Sequence, residues 1–183
     1  MGPGLAKRIL IALAVVVLGA AAVQAAPARA DRQQANVDAI GPRDIDRVVV
    51  LKSERRLVLM RGESVVRVFD VALGRYPTGP KRRAGDARTP EGVYELDYKL
   101  EDSAFYRAIH ISYPNAQDLA RARAEGVDPG GKIMIHGLPN DRTASYVGHP
   151  RIDWTQGCIA VTNAEMDELW RLVGIGTPIE IHP

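Results

Sequence analysis

The chain has one cysteine in 183 residues, so no internal disulfide can form. It also lacks an excess of either charge. Lys7, Arg8 and Arg29 are the only charged residues among the first thirty; without these three, 21 of the 24 bases remain against 22 acids. The basic pI of about 8.8 is therefore a property of the amino-terminal stretch, and a nucleic-acid partner has no electrostatic support. The longest apolar run, Ile9 to Val23, falls short of the roughly 20 residues that span a bilayer. No internal repeat, nucleotide loop, Ser-His-Asp elbow or paired-carboxylate signature is present. The spacings of His110, His136, His149 and Cys158 match no compact zinc motif. No cofactor and no metal are expected.

What is there begins with Lys7 and Arg8, the apolar run, and two small-residue exits, Val23-Gln24-Ala25 and Ala28-Arg29-Ala30. This pattern reads as a secretory signal peptide over residues 1–30 and implies export to the periplasm or cell envelope. No cysteine lies near the exit, so a lipid anchor has no residue to carry it. An uncleaved leader is the remaining route to a membrane. Residues 31–46 are polar and without a period, as expected of a flexible tether. Residues 47–183 have the size of one ordinary domain.

The domain reads as mostly β, a single sandwich or open barrel with two short helices. Runs at 48–52, 56–60, 64–73, 92–98, 105–112, 132–136, 159–162 and 178–181 are rich in β-branched residues or alternate, and polar or glycine breaks divide them. Consecutive hairpins are the simplest pairing. One helix is expected over 115–125, ended by Gly126. A second begins at Thr162, whose spacing to Glu165 is that of a capping box, and presents Met166, Leu169, Trp170 and Val173 on one face before Gly174 stops it.

Cys158 follows Gly157 and precedes a short apolar run. A free thiol retained in an oxidising compartment suggests a use as a nucleophile; the alternative is a small buried hydrophobe. A nucleophile needs a base. His182 is beside the C-terminus, and His110 lies in an alternating strand where a structural role suffices. His149, between Gly148 and Pro150, is the reserve candidate and a substrate-binding candidate. His136 is preferred, because it ends an apolar strand and Gly137 after it lets the chain turn. Contact between ring and sulfur would permit a thiolate–imidazolium pair. No carboxylate announces itself as the ring's orienting partner, and a backbone carbonyl such as that of Gly137 serves as well. The amides of Gly157 and Cys158 are natural oxyanion donors, and Thr155 can add a hydroxyl.

Ile135-His136-Gly137, a loop of about twenty residues, and Thr155-Gln156-Gly157-Cys158-Ile159 together resemble the L,D-transpeptidase catalytic domain, also called YkuD-like. The stretch from Gly79 to Gly92 resembles that family's turn into its next strand. The resemblance implies a cysteine enzyme acting on peptidoglycan stem peptides, with Cys158 as nucleophile, His136 as general base and acid, Gly137 orienting the ring, and Gly157 in the oxyanion region. In such enzymes the thiolate attacks the peptide bond after the L-centre of meso-diaminopimelate, expels D-alanine, and passes the acyl group to an amine.

Two positions depart from the family's common pattern: Gln156 replaces a histidine and Ala160 replaces an arginine. The second loss matters more, because a guanidinium grips a carboxylate with two bonds and a methyl group cannot. Arg88, with Lys81, Arg82 and Arg83 nearby, is a candidate substitute, and Gln156 joins the substrate-binding candidates; a solvated turn is the plainer reading of the basic cluster. The variant also resembles hydrolases of wall-linked protein or peptide bonds, so hydrolysis is the alternative to transfer, with a wall-linked lipoprotein as its further partner. A non-catalytic envelope-binding module is the second alternative.

Overall fold

Period-two burial builds the first half of the domain. In the computed structural model, which describes residues 41 and 44–183, β1 (Arg47–Leu51) buries Val48 and Val50 and turns its other side chains outward, as the strand pleat requires. β2 (Arg56–Arg61) and β3 (Ser64–Asp70) follow as an antiparallel meander. A second meander is made by β4 (Gly92–Ser103), β5 (Tyr106–Ile111) and β6 (Met134–His136). The expected hairpins hold for β1–β2, β2–β3 and β4–β5, whereas β5 reaches its partner β6 only through a segment that carries a helix.

The halves are joined by the last strand. β8 (Thr177–His182) lies between β1, which it pairs in parallel, and β4, which it pairs antiparallel. With β7 (Ile159–Ala160) parallel to β6, the order is β3-β2-β1-β8-β4-β5-β6-β7 in one mixed eight-stranded sheet. The strand expected to run to residue 73 ends at Asp70. Beyond it, Ala72 bridges Ala160 and Gly74 bridges Thr155. The chain leaving one sheet edge therefore meets the other edge, which curls the sheet toward a barrel and brings residues 72–74 against the Cys158 segment.

Among the described residues, three helices accompany the sheet. α1 (Ala116–Glu125) is capped by Asn115, which forms a capping box with Asp118, and Gly126 closes it at φ 65°. α2 (Ala144–Val147) is a single turn between Thr143 and Gly148 that the sequence reading does not contain. α3 (Asn163–Leu172) has the expected Thr162–Glu165 capping box. It ends at Val173 in extended conformation, before Gly174, because the chain is already turning toward β8. Met166, Leu169 and Leu172 of α3 are fully buried, each contributing about 1.5–3 kcal/mol of apolar burial. They share one core with Ile135 of β6 and Ile159 of β7.

The folded unit begins slightly before residue 47. Ile45 is buried in the core and the Asp46 amide donates to the Met60 carbonyl at 3.0 Å. The expected leader at 1–30 and most of the tether at 31–46 lie outside the described residues. Among the described residues, no helix is long and apolar enough to cross a membrane.

Candidate active site

The β6–β7 pair sets the site. Ile135 opposes Ile159 and His136 opposes Ala160 in parallel register. Both isoleucines are fully buried and pin the two strands to the core. Alternation then puts Cys158, one residue ahead of Ile159, on the face that His136 shares.

His136 is held tightly. Its Nδ1 is 2.7 Å from the Gly137 carbonyl oxygen, which makes Nδ1 the protonated nitrogen and leaves Nε2 as the basic one. This is the carbonyl that the sequence offers as a partner for the ring. Gly137 has no room for a side chain: a Cβ there would stand 2.7 Å from Asn163 Oδ1 and 3.0 Å from Tyr106 Cβ. Phe105 lies against the imidazole with ring centroids 4.6 Å apart, and Trp154 meets it edge-on at 5.6 Å. Burial in this aromatic setting pulls His136 down to about 4; the Gly137 carbonyl opposes the shift, and the positive form of His149 adds to it.

Cys158 is partly exposed. Its Sγ is 3.7 Å from the Lys132 carbonyl oxygen, to which the thiol donates. Burial pushes the thiol up, against the Met134 amide and the charge of Lys81, both of which favour the thiolate. Both shifts favour the neutral forms of thiol and imidazole, and burial is the first cause of each.

Thr155 and Gly157 shape the turn that carries Cys158. Gly157 has φ 124°, and a Cβ on it would be 2.5 Å from the Arg88 carbonyl oxygen. The Thr155 hydroxyl accepts from the Gly157 amide at 3.1 Å and donates to the Cys158 carbonyl at 2.7 Å. This corrects the reading of Thr155 as an oxyanion donor: its hydroxyl is engaged on both sides and braces the turn. The Gly157 amide is engaged too, which leaves the Cys158 amide as the candidate of that pair.

The other candidates separate. Gln156, two residues before Cys158, is exposed. His149 is buried, with Nδ1 lacking a partner among the described residues, so it faces protein more than open solvent. Burial lowers its pKa, with Glu165 and Asp70 acting the other way. His110 is tied to Asp97 at 2.7 Å and stacked on Tyr98, a structural role as expected. Lys81 is buried and donates to Asp86 Oδ1 at 2.8 Å and to the Arg83 carbonyl at 3.0 Å. Arg82 pairs with Glu125 at 2.6 Å. Arg88 is half-buried, with its backbone against Gly157.

Several contributors escape sequence reasoning. Phe105 and Trp154 are half of the chain's two phenylalanines and two tryptophans, and their scarcity is the only local signal. Asp153 accepts from the Leu73 amide and from Arg55, both at 2.9 Å, tying the segment before Thr155 to the first half of the sheet. Among the described residues, no group of three or more His, Cys, Asp or Glu side chains could hold a metal ion.

Comparison with known proteins bears on what this geometry is for. The profile of the L,D-transpeptidase catalytic domain, YkuD, matches residues 45–181. YafK of Escherichia coli (strain K12), whose L,D-transpeptidase designation is provisional, is 34% identical over 132 residues, covering 69% of this chain and 46% of YafK. The chain spans about half the length of the curated relatives it matches. Among solved structures, the helical cell shape determining protein Pgp2 of Campylobacter jejuni superposes with a TM-score of 0.57 at 25% identity, over 83% of this chain and 53% of Pgp2. Bd1075 of Bdellovibrio bacteriovorus shares the fold, with a TM-score of 0.54 at 24% identity over 78% of this chain and 50% of its own.

Proposed function

The chain belongs to the L,D-transpeptidase catalytic-domain family, and from that membership we propose that it is an exported cysteine acyltransferase of the cell envelope acting on peptidoglycan stem peptides. The observation that carries the reading is the His136 ring: fixed by the Gly137 carbonyl, dried by Phe105 and Trp154, and on the face shared with the only thiol.

The chemistry follows from a neutral pair. As Cys158 Sγ attacks the stem-peptide carbonyl, His136 Nε2 takes the thiol proton, so charge appears only when the bond forms. The Cys158 amide faces the developing oxyanion. Collapse breaks the C–N bond, His136 returns the proton to the departing amine, and a thioester remains on the sulfur. Attack by an acceptor amine, its proton again passing to His136, releases a crosslinked product and the free thiol.

Hydrolysis is the second reading, and Ala160 favours it. The residue is fully buried, and its amide and carbonyl both bond Ala72, at 2.8 and 3.0 Å. No guanidinium stands there to grip a substrate carboxylate, which leaves water as a competitor for the thioester. Likeness to a cell-shape protein suits either trimming or crosslinking of the wall.

The test is mass spectrometry of tetrapeptide muropeptides incubated with the mature protein. Crosslinked dimers are expected under transfer, and tripeptides or released wall-linked peptides under hydrolysis. Unchanged substrate with both wild type and Cys158→Ala would leave only a binding module.

A further inference from the structure

The loop at residues 81–88 (KRRAGDAR) is organised around one carboxylate. Asp86 Oδ2 accepts from the Arg82 and Arg83 amides at 2.8 and 3.1 Å; Oδ1 accepts from the Arg88 amide at 3.2 Å and Lys81 Nζ at 2.8 Å. Lys81 and these amides hold Asp86 below the usual carboxylate range, outweighing its burial. Ala87 is forced to φ 51° while fully buried, a conformation that costs a non-glycine residue of order 1 kcal/mol and persists only where surroundings impose it. The loop's one acid is consumed in shaping it.

Asp86 takes only the amides of these arginines, so the three guanidinium groups look elsewhere for partners. A cavity of about 490 Å³ is lined by Tyr76, Arg82, Arg83, Asp86, Arg88 and Glu125. Within it Arg82 is matched by Glu125 and Asp86 by Lys81. Arg83 and Arg88 have no acidic partner among the described residues. The Arg88 guanidinium is fixed over Gly79, where a Cβ would stand 3.0 Å from one of its nitrogens, and the Arg88 carbonyl abuts Gly157. An unpaired guanidinium therefore belongs to a half-buried residue whose own backbone abuts the glycine preceding Cys158. Lys81 and Arg82, grouped with these arginines in the sequence, are committed elsewhere.

We propose that Arg88, supported by Arg83, forms a carboxylate-binding subsite for the peptide that acylates Cys158, and that it sets a preference for donor peptides carrying a free carboxylate there. The proposal rests on the acyltransfer reading of the site. Planar guanidinium groups match carboxylates in geometry as well as charge, and both arginines line a cavity with room for a side chain or chain end of a peptide. The subsite restores, from a different element, the grip that Ala160 cannot provide.

The test is a cycle of two proteins and two substrates: wild type and Arg88→Gln, each with a stem tetrapeptide bearing free carboxylates and with the same peptide amidated at them. Amidation is expected to lower kcat/KM of wild type by roughly ten- to a hundredfold, the worth of a charged hydrogen bond, mostly through KM. It should change Arg88→Gln little. Arg56→Gln, an exposed residue of β2 whose guanidinium faces Glu54, should behave as wild type. Equal sensitivity of wild type and Arg88→Gln to amidation would overturn the proposal. Peptide binding to full-length Cys158→Ala, with and without Arg88→Gln, reads the subsite without turnover. If wild type turns over neither peptide, the enzymatic reading fails while this binding cycle still decides the subsite. Should Arg88→Gln fail to fold, Arg88→Lys and Arg83→Gln enter the same cycle, with smaller losses expected and the same overturning result.

Discussion

The strand end that carries His136 and the loop that carries Arg88 both adjoin the Cys158 segment, yet they treat charge in opposite ways. Around His136, aromatic rings and a single backbone carbonyl leave an imidazole whose charged form is penalised. Around Arg88, a carboxylate is surrounded by amides and a lysine until its charged form is favoured, and guanidinium groups are left over. The first environment suits proton transfer at the moment of bond formation. The second suits recognition of an anion that is charged before and after reaction. Burial alone does not distinguish them, since Lys81 and His136 are buried alike; what differs is the supply of hydrogen-bond partners to the charged state.

The comparison can be broken most sharply at the histidine. His136→Ala should cost about a hundred- to ten-thousandfold in kcat/KM, the usual worth of a general base, with His149→Ala milder; equal survival of both would place the base elsewhere. A pH profile comes next. With His136 held near 4, its basic form persists on acidification, so the acid limb of kcat/KM should lie well below the ordinary imidazole value of about 6.5. A limb near 6.5 would show that the site is wetter than described. Alkylation of Cys158 by iodoacetamide should climb as pH rises past the ordinary thiol range, because burial raises the thiol. A plateau reaching down to pH 5 would mean a preformed thiolate.

The smallest effect is on stability and belongs to the loop. Asp86→Asn leaves Lys81 buried without its acid, and unfolding by denaturant should show a loss of about 3 kcal/mol at neutral pH. Asp86 has a depressed folded-state value, so its contribution is complete above the unfolded carboxylate value of about 3.9 and disappears as pH falls through the folded one. The gap between wild type and Asp86→Asn should close in acid; a gap independent of pH would argue against the ion pair.

Much of this was legible in the sequence because the signals are local. Capping boxes and Gly126 mark α1 and α3, and the strand-end glycine after His136 marks both the candidate base and the carbonyl that its ring meets. The rest depends on partners far away in the chain. Nothing near Thr177 says that β8 will slip between β1 and β4, and nothing near Thr155 says that its hydroxyl will be taken by its own turn. The basic cluster reads as uniform until the fold assigns Lys81 to Asp86 and Arg82 to Glu125, leaving Arg83 and Arg88. Likewise His149 looks like a loop residue until the fold buries it.

The central claim is that Cys158 carries the acyl group. Intact-protein mass spectrometry of a reaction with tetrapeptide stem, quenched in acid during turnover, tests it directly. The account predicts an adduct equal to the substrate acyl fragment, mapped to the peptide containing Cys158 and absent from Cys158→Ala, which should be inactive. Turnover by Cys158→Ala, or an adduct on any other residue, would contradict it.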